Sequence, residues 1–228
     1  NWEQIRTTIC YNNQNVKIAG AHSGVSVGPD GATHQAIEDI AITRVIPNMV
    51  VIAPCDAIEA KKATIAAARY KGPVYIRFTR EKTPVMTTEE TPFEIGKAEI
   101  FREGKDVTII GCGPLVYEAL KAAEELVKEG ISAEVLNNHT IKPMDKETIL
   151  KSVKKTGCVV TIEEHQAAGG MGSAVSEILS QNYPAPMEII GVQDRFGESG
   201  EPNELLEKFG LTAKNIIAAA KKVLKRKI

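Results

Sequence analysis

The chain is 228 residues long, with 43% hydrophobic and 25% charged positions and a formal net charge of -1. That length and balance suit one large folded unit or two small ones and argue against disorder. The near-neutral charge argues against nucleic acid or an anionic membrane surface as the main partner, because both demand clustered basic excess.

Short β-branched apolar runs alternate along the chain with stretches of helical period, the pattern of a parallel α/β sheet. The first run, VKIAG at 16–20, leads into a glycine-rich loop, HSGVSVGPDGATHQ at 22–35. Beyond it Ile37, Ile40, Ala41 and Val45 recur at helical spacing, which makes Thr33 the expected N-cap and puts His34 in the first helical turn. MVVIA at 49–53 is the second strand. Asp56, with Glu59 three positions on, opens the next helix as an Asp version of a capping box, and Gly72-Pro73 closes it. VYIRF at 74–78 is the third strand. EKTPVMTTEETPFE, from Glu81 to Glu94, is polar, carries two prolines and shows no period, so it reads as connecting chain.

We therefore divide the chain into a unit over 1–82, a linker over 83–95 and a second unit over 96–228. The second unit has strand runs VTIIG at 107–111, AEVLN at 133–137, VVTIE at 159–163 and MEIIGV at 187–192. Pro114 suits the first turn of a helix ending at Gly130, Asp145 caps one ending at Gly157, and Pro202 begins one ending at Gly210. The first unit, by contrast, supplies only three strands and two helices, a thin layer to stand alone. Since residue 1 is Asn rather than Met, upstream elements of that unit are expected in the complete protein.

The basic run KKVLKRKI suits a solvated helix end. The four cysteines are isolated, with no C-x-x-C, and read as small buried hydrophobes of a reducing compartment rather than as zinc ligands. No run is long and apolar enough for a membrane span, and NWEQIRTTIC does not resemble a leader, so a cytoplasmic protein is expected.

Two of the four histidines, His22 and His34, flank the glycine-rich loop that carries Asp30. A histidine at a helix N-terminus is held neutral and can hydrogen-bond a hydroxyl or oxyanion. Loops at the carboxyl ends of parallel strands are where such folds bind ligands, and Gly24, Gly28 and Gly31 permit close approach. His22, Asp30 and His34 are thus candidates to converge on one pocket, although spacing alone equally allows surface polar groups. Arg77 and Arg80, near the end of the third strand, suit either bidentate phosphate binding or ion pairing. His139 and His165 read as structural, while Glu163 and Glu164 are open to contact with a neighbouring subunit or cofactor domain. VTIIG with Gly111-x-Gly113 mimics a dinucleotide fingerprint, but Val116 stands where the third glycine belongs.

The run HSGVSVGPDGATHQAIEDIAITRVIPNMVVIAPCDAIEA, followed by GPVYIRFTREKTPV, resembles the second half of the pyrimidine-binding domain of transketolases. DVTIIGCG, NNHTIKP, EEHQAAGGMGSAV and DRFGESG resemble the C-terminal domain of that family, and the split form is the nearest. The resemblance implies two parallel-type α/β units: a partial thiamine diphosphate pyrimidine-binding domain over 1–82 and a C-terminal domain over 96–228. It implies two-carbon ketol transfer between sugar phosphates in the pentose phosphate pathway, by a homodimer or a dimer of heterodimers. Thiamine diphosphate and Mg (or Ca) would be held mainly by a diphosphate-binding domain or subunit, since the catalytic glutamate and the aromatic wall belong upstream of residue 1. The chain alone is then expected to be inactive and to carry no metal ligands. By the same resemblance His34 is catalytic at the reacting hydroxyls, and His22, Asp30 and Arg80, rather than Arg77, bind substrate. The chain departs from many transketolases with Ser23-Gly24 in place of Asp-Ser and Pro29 in place of Glu, which leaves substrate range open. Alternatives are 1-deoxyxylulose-5-phosphate synthase, which usually has Arg at His22 and Asn at His165, the β subunit of a 2-oxo acid dehydrogenase, and a non-catalytic dimerisation fragment.

Overall fold

β-Branched runs pack side by side into two sheets in a computed structural model that describes residues 1–227. The first sheet, ordered β1-β3-β2-β7, contains β1 (Lys17–Gly20), β2 (Val50–Ile52), β3 (Val74–Arg77) and β7 (Thr140–Lys142). β1, β2 and β3 run parallel, and β2 and β3 are buried along their whole length, as unbroken Val/Ile runs must be. The second sheet, ordered β4-β6-β5-β8-β9, comprises β4 (Glu99–Arg102), β5 (Val107–Gly111), β6 (Ala133–Asn137), β8 (Val159–Gln166) and β9 (Met187–Val192). Only its edge strand β4 is antiparallel.

At the N-terminus α1 (Trp2–Gln4) passes into wider π-type turns over Ile5–Tyr11. The other helices begin and end where local chemistry dictates. α2 spans Asp39–Arg44, and α3 spans Ala57–Arg69. Asp56 caps α3 by accepting from the Glu59 N–H at 2.9 Å, and Glu59 accepts from the Cys55 N–H at 2.6 Å. α4 (Val116–Lys128) follows a 3-10 turn containing Pro114. Asp145 caps α5 (Lys146–Thr156), which stops at Gly157, left-handed at φ 75. α6 (Met171–Asn182), α7 (Pro202–Lys208) and α8 (Ala213–Leu224) complete the chain.

α4 and α8 cover one face of the second sheet, burying Ile109, Leu126, Val135, Val160 and Ile216. α5 and α6 cover the other, where Ile149, Val153, Val175 and Leu179 join Ile40, Met49, Val51 and Tyr75 of the first unit in one continuous core. The two units thus share their hydrophobic interior.

β4 and β7 were not among the strands expected. β7 belongs to the second half of the sequence yet pairs antiparallel with β2, Val51 opposite Lys142 and Ile52 opposite Thr140. A three-residue strand is too short for any period to declare it. The 83–95 stretch forms no helix or strand, but it is pinned rather than loose. The Met86 and Thr87 N–H groups both donate to Asp56 Oδ2 at 2.6 Å, and Phe93 stacks on the His139 ring at 4.3 Å. All four cysteines are free and buried, as their apolar surroundings suggested. Among the described residues no helix is long and apolar enough to cross a membrane.

Candidate functional site

The glycine-rich loop leaves the carboxyl end of β1 and is stitched to the end of β3: Phe78 N–H donates to Gly20 O at 2.7 Å, and Ser23 N–H to Phe78 O at 3.1 Å. Its two ends then meet in a neck, where Gly24 N–H donates to Ala36 O at 2.8 Å and Ala36 N–H to His22 O at 3.1 Å. Between them Val25–Asp30 forms 3-10 turns broken at Gly28, whose φ of 80 a side chain would resist.

The expected helix with Thr33 as its N-cap does not form. α2 begins only at Asp39, with Glu38 at the cap, because residues 35–37 stay extended. Ala36 bridges to Ser23, and Ile37 O accepts from the Gln166 N–H at 2.8 Å. His34 therefore lies in the loop ahead of the helix, and the helix-end field invoked for it does not apply.

Arg77 closes the neck from beneath. Its side chain is only 3% exposed, with Nε donating to Asp39 Oδ2 at 2.8 Å and Nη2 to Asp39 Oδ1 at 3.2 Å. Nη2 also donates to Ala36 O at 3.0 Å and to Glu164 O at 2.8 Å, while the Tyr75 hydroxyl donates to Asp39 Oδ2 at 2.8 Å. Burial pushes the Asp39 carboxyl up, but the Arg77 charge overrides it and leaves the group below its usual range. Of the two readings open for Arg77, the structure selects the ion pair.

Arg80 stands outside this clamp. Its Nη1 donates to Val27 O at 2.9 Å and pairs with Asp30 Oδ1 at 3.3 Å, the two side chains being 40% and 34% exposed. His34 is exposed, with Nδ1 3.0 Å from Thr33 Oγ1. His22 is exposed too, and its φ of 59 is a strained backbone for a residue with a Cβ. The fold thus brings Asp30 and Arg80 into contact and draws the segments bearing His22 and His34 together at the neck. Among the described residues no hydrogen bond joins either imidazole to that ion pair.

Two clefts lie nearby, of about 360 Å³ beside Cys55, Asp56, Arg77 and Thr79 and about 220 Å³ between Ser26, Lys82, Lys121 and Glu164. His22, Asp30, His34 and Arg80 line neither. Among the described residues no three His, Cys, Asp or Glu side chains gather as a metal site. The Gly111-x-Gly113 turn is occupied by the fold itself, the Gly113 N–H donating to Ala53 O at 3.1 Å.

His139 and His165 sit in the interior. His139 Nδ1 lies 3.0 Å from Thr140 Oγ1. His165 Nδ1–H donates to Gln166 O at 2.8 Å while Nε2 accepts from the Ala41 N–H at 3.3 Å, a neutral imidazole with its tautomer fixed. Burial pushes both down to about 4. The two adjacent glutamates make contacts within this chain that sequence reasoning left open. Glu163 caps α6, accepting from Met171 N–H at 2.6 Å and Gly172 N–H at 2.8 Å, and burial pushes its carboxyl up to about 7. Glu164 accepts from the Ser26 N–H, in the candidate loop, at 2.5 Å. Their one sequence signal is the placing of two acids inside the strand run VVTIEEHQ.

Two mainly parallel sheets thus share a common core, with a pinned glycine loop at the carboxyl edge of the first. The chain belongs to the transketolase family: the family's pyrimidine-binding domain matches residues 1–86 and its C-terminal domain residues 96–216. Its relatives include C-terminal subunits of split enzymes and, at 41% identity over 231 residues, part of a 1-deoxy-D-xylulose-5-phosphate synthase of Desulfotalea psychrophila, covering 98% of this chain and 36% of that protein. The chain is 46% identical over 225 residues to the 6-deoxy-6-sulfo-D-fructose transketolase subunit of Clostridium sp. (strain MSTE9), covering 99% of this chain and 70% of that protein. It is 39% identical over 225 residues to an apulose-4-phosphate transketolase subunit of Phocaeicola vulgatus, covering 98% of this chain and 72% of that protein. A solved split-gene transketolase, described as an inactive β4 tetramer, superposes with a TM-score of 0.94 at 48% identity, covering 100% of this chain and 73% of that one.

Proposed function

We propose that this chain is the C-terminal portion or subunit of a transketolase that moves a two-carbon ketol unit between sugar phosphates. The observation that carries this is the loop from His22 to Ala36, closed at its neck and clamped by Arg77 while Asp30, Arg80, His22 and His34 stay exposed along it. Among the described residues Arg80 makes its hydrogen bonds through Nη1, which leaves Nε and Nη2 for a substrate phosphate. Asp30 accepts a substrate hydroxyl. His34 exchanges a proton with the reacting hydroxyls, and His22 holds the sugar phosphate with Arg80. Binding a phosphate remote from the chemistry fixes the position of the reacting carbonyl.

Thiamine diphosphate, when bound, supplies the electron sink for cleaving the C–C bond. This chain's exposed hydroxyl- and anion-binding side chains fit one wall of such a site. We assign the cofactor and its Mg (or Ca) mainly to a diphosphate-binding partner, in a homodimer or a dimer of heterodimers that works in the cytoplasm, in pentose phosphate metabolism. Dependence on that partner agrees with a split-gene relative whose β4 assembly is described as inactive.

The test joins the chain, in its full-length form, to its diphosphate-binding partner with thiamine diphosphate, Mg, xylulose 5-phosphate and ribose 5-phosphate. A seven-carbon ketose phosphate is the expected product by mass spectrometry. Because relatives act on other sugars, 6-deoxy-6-sulfofructose and apulose 4-phosphate belong in the same assay. A preparation that binds the cofactor and transfers no ketol unit from any of these would overturn the proposal.

A further inference from the structure

The candidate loop touches the first unit at its neck, but most of its length rests on the second. Val25 and Ile37, at the two ends of the loop, are fully buried in the core that α4 and α8 build with Ile109, Leu115 and Val160. Between these anchors, the carboxylate of Glu164, a residue only 2% exposed, takes the Ser26 N–H at 2.5 Å. The loop passes so close that a Cβ on Gly24 would overlap that carboxyl. Further along, a Cβ on Gly28 would come within 3.2 Å of Gly200 O, and one on Gly31 within 2.6 Å of Ser199 Oγ. Buried Gln35 ties the far side, its Nε2 donating to Val25 O at 3.1 Å and to Glu198 O at 2.9 Å.

On the functional reading above, we infer that the second unit is the template on which the substrate loop is shaped, and that Glu164 is its positioning residue. Glu164 fixes the start of the Val25–Asp30 turns. Those turns end at Asp30 and present the Val27 carbonyl that holds Arg80. Glu164 therefore sets the Asp30–Arg80 pair without touching substrate, whereas the neck that places His22 and His34 is held by Arg77, which bonds Ala36 O and meets Glu164 through its main-chain carbonyl. Loss of the Glu164 carboxylate should thus act on substrate affinity more than on turnover.

The test uses the full-length subunit joined to its diphosphate-binding partner, with the variants Glu164→Gln and Gln35→Leu. Hydrogen–deuterium exchange over residues 23–31 should quicken about tenfold in both variants, while β8 and α6 exchange as before. KM for ribose 5-phosphate should rise about tenfold with kcat within about twofold. Unchanged loop exchange and unchanged KM in Glu164→Gln would overturn the proposal, whatever Gln35→Leu does. So would faster exchange spread through β8 and α6 with KM unmoved, the mark of a merely structural glutamate. Should Glu164→Gln fail to fold, Gln35→Leu decides, because it loosens the same turns from the opposite side. If the unaltered complex transfers no ketol unit, the functional reading fails, and the exchange comparison still decides whether Glu164 holds the loop.

Discussion

Asp30 and Arg80 pair at 3.3 Å with both side chains partly in water, a setting in which an ion pair contributes at most about 1 kcal/mol. A substrate phosphate can therefore recruit Arg80 at little cost. Arg80→Ala should raise KM for phosphorylated acceptors and leave kcat nearly unchanged, and an equal loss with unphosphorylated acceptors would contradict that role. His34→Ala should lower kcat by about 10²–10⁴-fold with the fold intact, as steady-state kinetics beside a circular-dichroism spectrum would show. At this scale the sequence told exposed residues from buried ones unevenly. His139 and His165 were legible as structural because the first follows a strand run and the second sits beside the glycine-rich turn GGMG. The roles of Glu163 and Glu164 were not, since their partners, Gly172 and Ser26, lie on different elements and one is 138 positions away.

The loop and its neck form the element that carries all four proposed substrate groups or holds them in place. Arg77 and Asp39 are buried together, and removing one partner of such a pair leaves the other charged and unsatisfied, at a cost of about 3–5 kcal/mol. Arg77→Met should therefore lower the unfolding free energy by that amount in urea titrations, and a loss under about 1 kcal/mol would show that the clamp is dispensable. The apolar spacing of Ile37, Ile40 and Ala41 identified α2 but not its start. Periodicity records which residues are buried, and Ile37 is buried in the core of the other unit from an extended segment rather than from a helix.

The whole molecule meets acid with two opposed sets of buried groups. His139 and His165 titrate near 4 when folded, against 6.5 as their ordinary value, so the unfolded chain binds protons that the folded one refuses. Their contribution to stability is full above about 6.5 and is lost as pH falls towards 4. Glu163, raised to about 7 from 4.5, has the opposite sign: its contribution is full below about 4.5 and is lost as pH rises through 7. Glu59 and Glu164 are raised by burial with the same sign, and Glu163→Gln removes one of these opposing groups, so its stability should fall more steeply than that of the unaltered protein between pH 6.5 and 4.5. Thermal midpoints across that range would check it, and parallel curves would refute it. At this scale the parallel runs of both sheets were readable from β-branched patterning, whereas β7 was not, because three residues gain their meaning only from the strand beside them.

β7 also bears on how the chain is made. Val51 finds its partner at Lys142, so the first sheet lacks this strand until residues 140–142 have left the ribosome. Domains commonly fold as units from the N-terminus during synthesis. Here the early unit must wait for the later one, and a nascent chain paused before residue 140 exposes the edge of β2, where chaperones or a second nascent copy can bind.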